Sequence, residues 1–344
     1  MLWRTFRWSL IISVLSLVAA FFYGGWTALS LCIMLGILEI SLSFDNAVLN
    51  ASILRKMSPF WQKMFLTIGI VIAVFGMRLV FPILIVSIAA HINPVEALQL
   101  AFQKGDPTTP GTYGYIFASI HPIVSAFGGM FLLLLFLTFM LQPRKITWIT
   151  VLERPLVSLG SIPFMSAGLA TITLLLASLP LHGDMRVQVL TAGLIGIVVF
   201  FIVHGLGEAF KRYGEHRAAS SAALAAGKAG FFLFLYLEVL DATLSFDGAI
   251  GAFAITPDPI IIALGLGLIG ALFVRSLTIY MVARRSLEQL IHLEHGAHWA
   301  IGALAILLLI GISTPLHELV TGLVGIAFIG AALVTSLRAT RHHT

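Results

Sequence analysis

Ten apolar runs, each close to the length that crosses a bilayer, leave few folds open to this chain. A membrane-spanning helix needs about 20 mainly apolar residues. Runs of that kind lie near 8–23, 26–54, 62–90, 123–141, 158–179, 187–210, 229–256, 259–283, 297–313 and 316–337. Of the 344 residues, 59% are apolar and only 10% are charged, against about 25% charged in soluble globular proteins. So few charges cannot cover a water-soluble domain of this length. That excludes a soluble enzyme, a nucleic-acid-binding domain and a disordered chain. The expected fold is an all-α polytopic membrane protein of about ten transmembrane helices, with the lipid bilayer as its first partner.

Charge placement orients these spans. If both termini share one face, that face receives sixteen of the twenty Lys and Arg residues, from Arg4 and Arg7 through Arg338 and Arg341. The opposite face receives Lys104 and Arg186, while Arg78 and Arg275 fall inside spans. Basic residues collect in cytoplasmic loops, so both termini are predicted cytoplasmic. The net charge of +5 then marks topology rather than a nucleic-acid partner. The opening MLWRTFRW and apolar residues 9–23 resemble a signal peptide but lack an A-x-A cleavage site, so an uncleaved first helix is expected. A tight turn at Tyr23-Gly24-Gly25-Trp26 joins it to the second span. The connection 91–122 holds an amphipathic stretch, Val95 to Phe102, read as an interfacial helix before a loop. The lone Cys32 allows no intramolecular disulfide and no cysteine-based metal site. The expected location is the bacterial cytoplasmic membrane.

An internal repeat carries the chemistry. Residues 42–53 read LSFDNAVLNASI and residues 244–255 read LSFDGAIGAFAI, identical at six of twelve positions at an offset of 202. The same offset sets Glu39 opposite Asp241, and the second copy adds Glu238. An odd number of crossings separates the two spans, so they run in opposite directions. Inverted repeats are a common transporter plan, with substrate bound near the midplane. Each acidic span is followed by one carrying a single arginine, Arg78 or Arg275. The expected organisation is one integral membrane domain over 1–344. Its first repeat half is 26–141, its connecting helices and cytoplasmic loops 142–228, and its second half 229–338.

On a continuous helix Glu39, Ser43, Asn46 and Asn50 fall within about 60° of one another, with Asp45 about 120° away. In the second copy Glu238, Asp241, Ser245 and Gly248 make the corresponding stripe, and Asp247 points away. Either each aspartate faces a second polar surface or the helices are interrupted near Ser-Phe-Asp, as broken helices at ion sites are. Burial in lipid argues against decoration, since an acid at a helix centre costs about 2.5–3.5 kcal/mol. Glu39, Asp45, Glu238, Asp241 and Asp247 bring five negative charges and the two arginines return two. Protons or a cation must balance the rest. Carboxylates, the Asn46 amide and the Ser43 and Ser245 hydroxyls are hard oxygen donors that suit Mg²⁺, Ca²⁺ or Mn²⁺. The bland alternative pairs two acids with Arg78 and Arg275 and leaves the others as protonated packing groups.

These residues resemble a known group. Glu39-Ile-Ser-Leu-Ser-Phe-Asp45-Asn46 and Glu238-Val-Leu-Asp241-Ala-Thr-Leu-Ser-Phe-Asp247 look like the paired acidic motifs of TerC-type integral membrane proteins. Three further stretches, HPIVSAFGGMFL from His121, EHGAHWAIGALAIL from Glu294 and HELVTGLVGIAFIG from His317, look closer to a related branch, domain-of-unknown-function family 475. The resemblance spans roughly 30–338, and the doubled SFD motif is its specific part. It implies two inverted helical halves and Mn²⁺ export. It also implies a cation site of Glu39, Asp45, Asn46, Glu238, Asp241 and Asp247; the residue pattern itself adds Ser43, Asn50 and Ser245 as supporting polar groups and Arg78 and Arg275 as counter-ions. Two departures stand out: Gly248 replaces Asn46 in the second copy, and the connection 142–157 is unusual for the branch.

The expected function is a secondary transporter exporting a divalent cation as substrate, with protons as counter-substrate, no cofactor and no enzymatic activity. A membrane assembly or stress factor is a second reading. An intramembrane aspartyl protease built on Asp45 and Asp247 is a third, but its Gly-x-Gly-Asp and Pro-Ala-Leu signatures are absent. Among the histidines, His292, Glu294, His295 and His298 form either a metal-sensing cluster or, more simply, a polar helix start. His121 serves as a pathway gate or as a packing group, and His204 with Glu208 as a proton relay or an interfacial pair. His317-Glu318 is no metalloprotease motif, because Thr321 stands where the second histidine belongs.

Overall fold

The computed structural model describes residues 2–42, 50, 53–54, 57–69, 71–72, 76, 80–103, 108–144, 146–218, 227, 230–238, 252, 255–256, 258–283, 292–314, 316 and 318–341. Its regular elements are helices, with no strand among the described residues. In chain order they are α1 (Leu2–Leu42), α2 (Pro59–Met64), α3 (Phe81–Ala90), α4 (Pro94–Gln103), α5 (Tyr113–Met140), α6 (Thr150–Leu159), α7 (Met165–Ser178), α8 (Gly183–Ala218), α9 (Pro259–Ile262), α10 (Ala271–Ala283), α11 (Leu293–Gly311) and α12 (Glu318–Arg341). Two π-helical turns, Phe65–Gly69 and Ala263–Gly270, continue α2 and join α9 to α10. Among the described residues five helices are long and apolar enough to cross a membrane, or six if the bent pair Ile83–Ala90 and Pro94–Leu100 is one span. These long apolar helices make the chain a helical membrane protein.

Two compact units form. The first gathers Met1–Val80, Phe201–Ala249 and Ile261–Glu288. Its α1 carries two expected spans in one element, interrupted where Gly24 (φ −148°, ψ 23°) and Gly25 (φ 65°, ψ −149°) leave helical geometry. Side-chain contacts show that the chain reverses there. The Ser9 hydroxyl donates to the Leu272 carbonyl at 2.8 Å and lies 2.5 Å from the Ser276 hydroxyl. The Ser276 hydroxyl also reaches the Thr5 carbonyl at 3.1 Å. Gly265 abuts Cys32 and Leu35, Gly36 abuts Ile269, and Gly270 abuts Glu39. Along α10 the partners fall in number, and along the preceding π turn they rise. At about 1.5 Å per residue, an unbroken helix would hold Ser9 and Cys32 about 35 Å apart. Their partners Gly265 and Leu272 are only about 10 Å apart along the helix. The expected turn at Tyr23–Trp26 is therefore a hairpin. Gly25 sits in a backbone region that only glycine occupies comfortably, so Gly25→Ala should cost about 1–3 kcal/mol. A drop in thermal unfolding temperature in detergent checks this, and an unchanged temperature contradicts it.

The second unit comprises Phe81–Phe200, Ile250–Ile260 and Gln289–Thr344. The expected amphipathic segment is α4, opened by Asn93, whose Oδ1 accepts from Val95 N at 2.9 Å, with Pro94 at the first helical position. Its axis bends 107° from the preceding apolar helix. α5 begins ten residues before the apolar run placed at 123–141, because the Thr112 side chain caps it at Tyr115 N and Pro122 is carried inside. A proline inside a helix forfeits one hydrogen bond but does not always end it. α5, α11 and α12 make the core of this unit. Phe131 of α5 is 1% exposed and meets Phe200 edge-on at 5.6 Å. A side chain at Gly296 would collide with Ala332, so α11 and α12 approach closely, as small residues allow between membrane helices. The run expected at 158–179 contains the shorter α7, of 14 residues.

Candidate functional site

Glu39 and Glu238, the described acids of the two copies, lie in the first unit, each against a helix of the other half. Glu39, fully buried near the end of α1, packs its side-chain stem on Gly270, where a Cβ would overlap its Cβ and Cγ. Glu238, at the end of the helical residues 230–238, rests a carboxylate oxygen where a Cβ on Gly69 would stand. Gly69 and Gly270 are the last residues of the two π-helical turns. At the repeat offset of 202, the turn Ala263–Gly270 falls on positions 61–68, overlapping Phe65–Gly69. π turns are rare and concentrate at functional sites. Two matched turns, each ending under an acid from the opposite copy, form a reciprocal arrangement.

Helix direction follows from the same contacts. Residues 32, 36 and 39 meet 265, 269 and 270 in ascending order, so the second arm of α1 runs parallel to the helix starting at Pro259. Trp61 packs at a tilt against Phe231 and Phe234 at 5.8 and 5.6 Å, and Gly69 meets Glu238 further along, so residues 230–238 run parallel to α2. An apolar cluster of Ile53, Leu54, Met57, Phe65, Leu233, Tyr236 and Leu237 holds that pairing. The two partner helices touch through Arg275, whose Nε donates to the Leu66 carbonyl at 3.1 Å. This bond anchors a membrane arginine on the backbone of a π turn. Asn50 is 2% exposed, and its Oδ1 is buried with no hydrogen-bond donor among the described residues.

Of the residues expected at the cation site, Glu39, Glu238, Asn50 and Arg275 thus belong to one unit. Ser43, Asp45, Asn46, Arg78, Asp241, Ser245 and Asp247 lie outside the described residues. Among the described residues no three His, Cys, Asp or Glu side chains are placed to hold a metal ion. That includes the cluster at the start of α11, where the simpler reading holds. There Glu294 pairs with Arg144 at 2.9 Å, and His298 Nδ1 lies 2.9 Å from the Glu294 carbonyl. The His298 ring stacks on Phe139 at 3.5 Å, and the Arg144 guanidinium lies 3.3 Å from the same ring's centre, so the two cover opposite faces. Burial, with His295 nearby, pushes His292 below its ordinary pKa. His121 stands 3.5 Å from the Ser125 hydroxyl one turn on, and His204 is exposed. His317 lies outside the described residues.

Sequence reasoning missed Glu153. Read as part of a connection, it is 2% exposed. One oxygen accepts from Trp299 Nε1 at 3.0 Å and Ile149 N at 3.2 Å. The other accepts from Trp148 N at 3.0 Å, with His295 Nδ1 3.1 Å away but out of line for a hydrogen bond. Burial works to raise the Glu153 pKa, yet the bonds from Trp299, Ile149 and Trp148 and the neighbouring His295 outweigh it and hold the carboxyl below its ordinary value. This carboxylate ties the start of α6 to the middle of α11. The available signal was the unusual connection itself, an acid five residues after Trp148 and ahead of an apolar run.

No curated protein and no solved structure matches the chain. A family model matches residues 44–343, a range that takes in the Arg275 and Glu153 anchors and most of the doubled acidic motif. The chain therefore belongs to the family described as Protein of unknown function (DUF475).

Proposed function

We propose that this chain is a secondary transporter that exports a divalent metal cation, Mn²⁺ in the first instance, through carboxylates contributed by two inverted halves. The observation that carries the reading is the reciprocal seating of Glu39 on Gly270 and Glu238 on Gly69. Buried acids are costly in lipid, and a chain that holds them against opposite halves spends that energy on a shared polar centre. The two parallel pairings support inversion. If consecutive spans cross in opposite senses, the two acidic helices must then be antiparallel to each other. The Asn50 Oδ1, buried without a donor among the described residues, is an oxygen that fits a hard cation.

On this reading Asp45, Asn46, Asp241 and Asp247 complete the ligand set, Ser43 and Ser245 support it, and Arg78 and Arg275 balance its charge. Protons exchange on the same carboxylates, and no cofactor or bond-making chemistry is involved. The ten spans, with both termini cytoplasmic, lie in the bacterial cytoplasmic membrane, and the resemblance of the paired acidic motifs to those of TerC-type proteins points to Mn²⁺. The test is flux of Mn²⁺, Mg²⁺ and Ca²⁺ by purified protein in liposomes. Asp45→Asn and Asp247→Asn should each abolish it at normal protein abundance. Undiminished flux in both variants would overturn the shared-site model.

A further inference from the structure

We infer that Gly69 and Gly270 are positioning residues of the cation site, each a socket that sets where the carboxylate of the other half stands; this rests on the transport reading above. Neither glycine has a turn to make, since neither has a positive φ. Both lie within helical segments, where glycine costs about 1 kcal/mol against alanine. Something other than conformation keeps a side chain from these positions, and in both cases the obstacle is an acid. At Gly69 a Cβ would occupy the place of the Glu238 Oε1, with the Phe65 ring 3.1 Å away. At Gly270 it would fall on the Glu39 stem, 2.6 Å from its Cβ.

The two sockets differ in what must yield. The obstacle at Gly69 is the far end of a flexible side chain, so an alanine there displaces a carboxylate and leaves the helices in place. The obstacle at Gly270 is the first carbons of a side chain, so an alanine there pushes the helix carrying Glu39 away. Gly76 provides the contrast: among the described residues, a Cβ there would meet Ile72 alone, at 4.0 Å. A glycine needed for chain flexibility would tolerate alanine equally at either place. Glycines needed as sockets differ from Gly76.

The experiment uses full-length protein in liposomes, with the buried Cys32 replaced by alanine. Gly69→Ala should raise the KM for Mn²⁺ about 10- to 100-fold, the range seen when groups that orient a metal ligand are changed. Its kcat and abundance should stay close to wild type, and Gly76→Ala should alter neither constant. Glu238→Asp withdraws the carboxylate by one methylene and relieves the collision. Combined with Gly69→Ala it should cost less than the product of the two single effects, the mark of coupled positions. Independently of transport, the pair Glu39→Cys and Gly270→Cys should form a disulfide on mild oxidation. Absence of that crosslink, an unchanged KM in Gly69→Ala, or effects that simply multiply would each overturn the sockets. Wild-type protein that moves no cation sinks the transport reading alone, and the crosslink then decides the seating by itself.

Discussion

Glu39→Gln and Glu238→Gln should each reduce Mn²⁺ flux to the level of protein-free liposomes while leaving as much folded protein in the membrane as wild type, or more. The substitution keeps the shape of each side chain and removes its charge. A carboxylate at a helix centre opposes insertion by about 2.5–3.5 kcal/mol, so a neutral amide should ease folding rather than hinder it. A loss of flux beyond about 100-fold is expected, since a direct ligand matters more than the outer groups whose removal costs 10- to 100-fold. Opposite movement of stability and flux separates a functional acid from a packing acid. Flux retained in both variants would make these side chains packing groups and return the balance to the arginine pairs. Arg275 already has a structural partner in the Leu66 carbonyl, which suits an anchoring role for it.

Much of the fold is legible because the bilayer imposes simple arithmetic on a sequence. The turn at Gly24-Gly25 is readable from two glycines between apolar runs, and it is a hairpin. α4 is readable from its amphipathic period and the Asn93-Pro94 start. The start of α5 is not, because Pro122 looks like a boundary, whereas the cap at Thr112 carries the helix through it. In the site, the repeat picks out Glu39 and Glu238 but says nothing of what they rest on. Gly69 and Gly270 stand almost one repeat offset apart, so their correspondence was open to inspection. Their role was not, since π turns leave no periodic signature in uniformly apolar segments. Glu153 was illegible for a different reason. Its indole partner, Trp299, lies 146 positions away, and no local pattern distinguishes a buried carboxylate from one in a loop.

Glu153→Ala should destabilise the protein by about 3–5 kcal/mol, the loss typical when one member of a buried charged network is removed. Two backbone N–H groups and the Trp299 indole lose their acceptor, and each buried donor left unsatisfied costs about 1–3 kcal/mol. Glu153→Gln should cost less, because its one remaining oxygen still accepts while its amide faces donors. The pH dependence has a definite sign. The folded carboxyl lies below its ordinary value of 4.5, so its stabilisation is complete above that value and is lost as pH falls through the folded pKa. Wild type should therefore lose thermal stability on acidification below the ordinary carboxylate range, and the gap between wild type and Glu153→Gln should narrow over the same interval. Scans of tryptophan fluorescence in detergent at one fixed heating rate would measure this, with Trp148 and Trp299 reporting from beside the carboxylate. A gap that stays constant from neutral pH to below the folded pKa would show that the hydrogen bonds at Glu153 do not depend on its charge. A Glu153→Gln protein that is less stable yet transports Mn²⁺ with wild-type KM would assign to this carboxylate the work of holding α6 on α11.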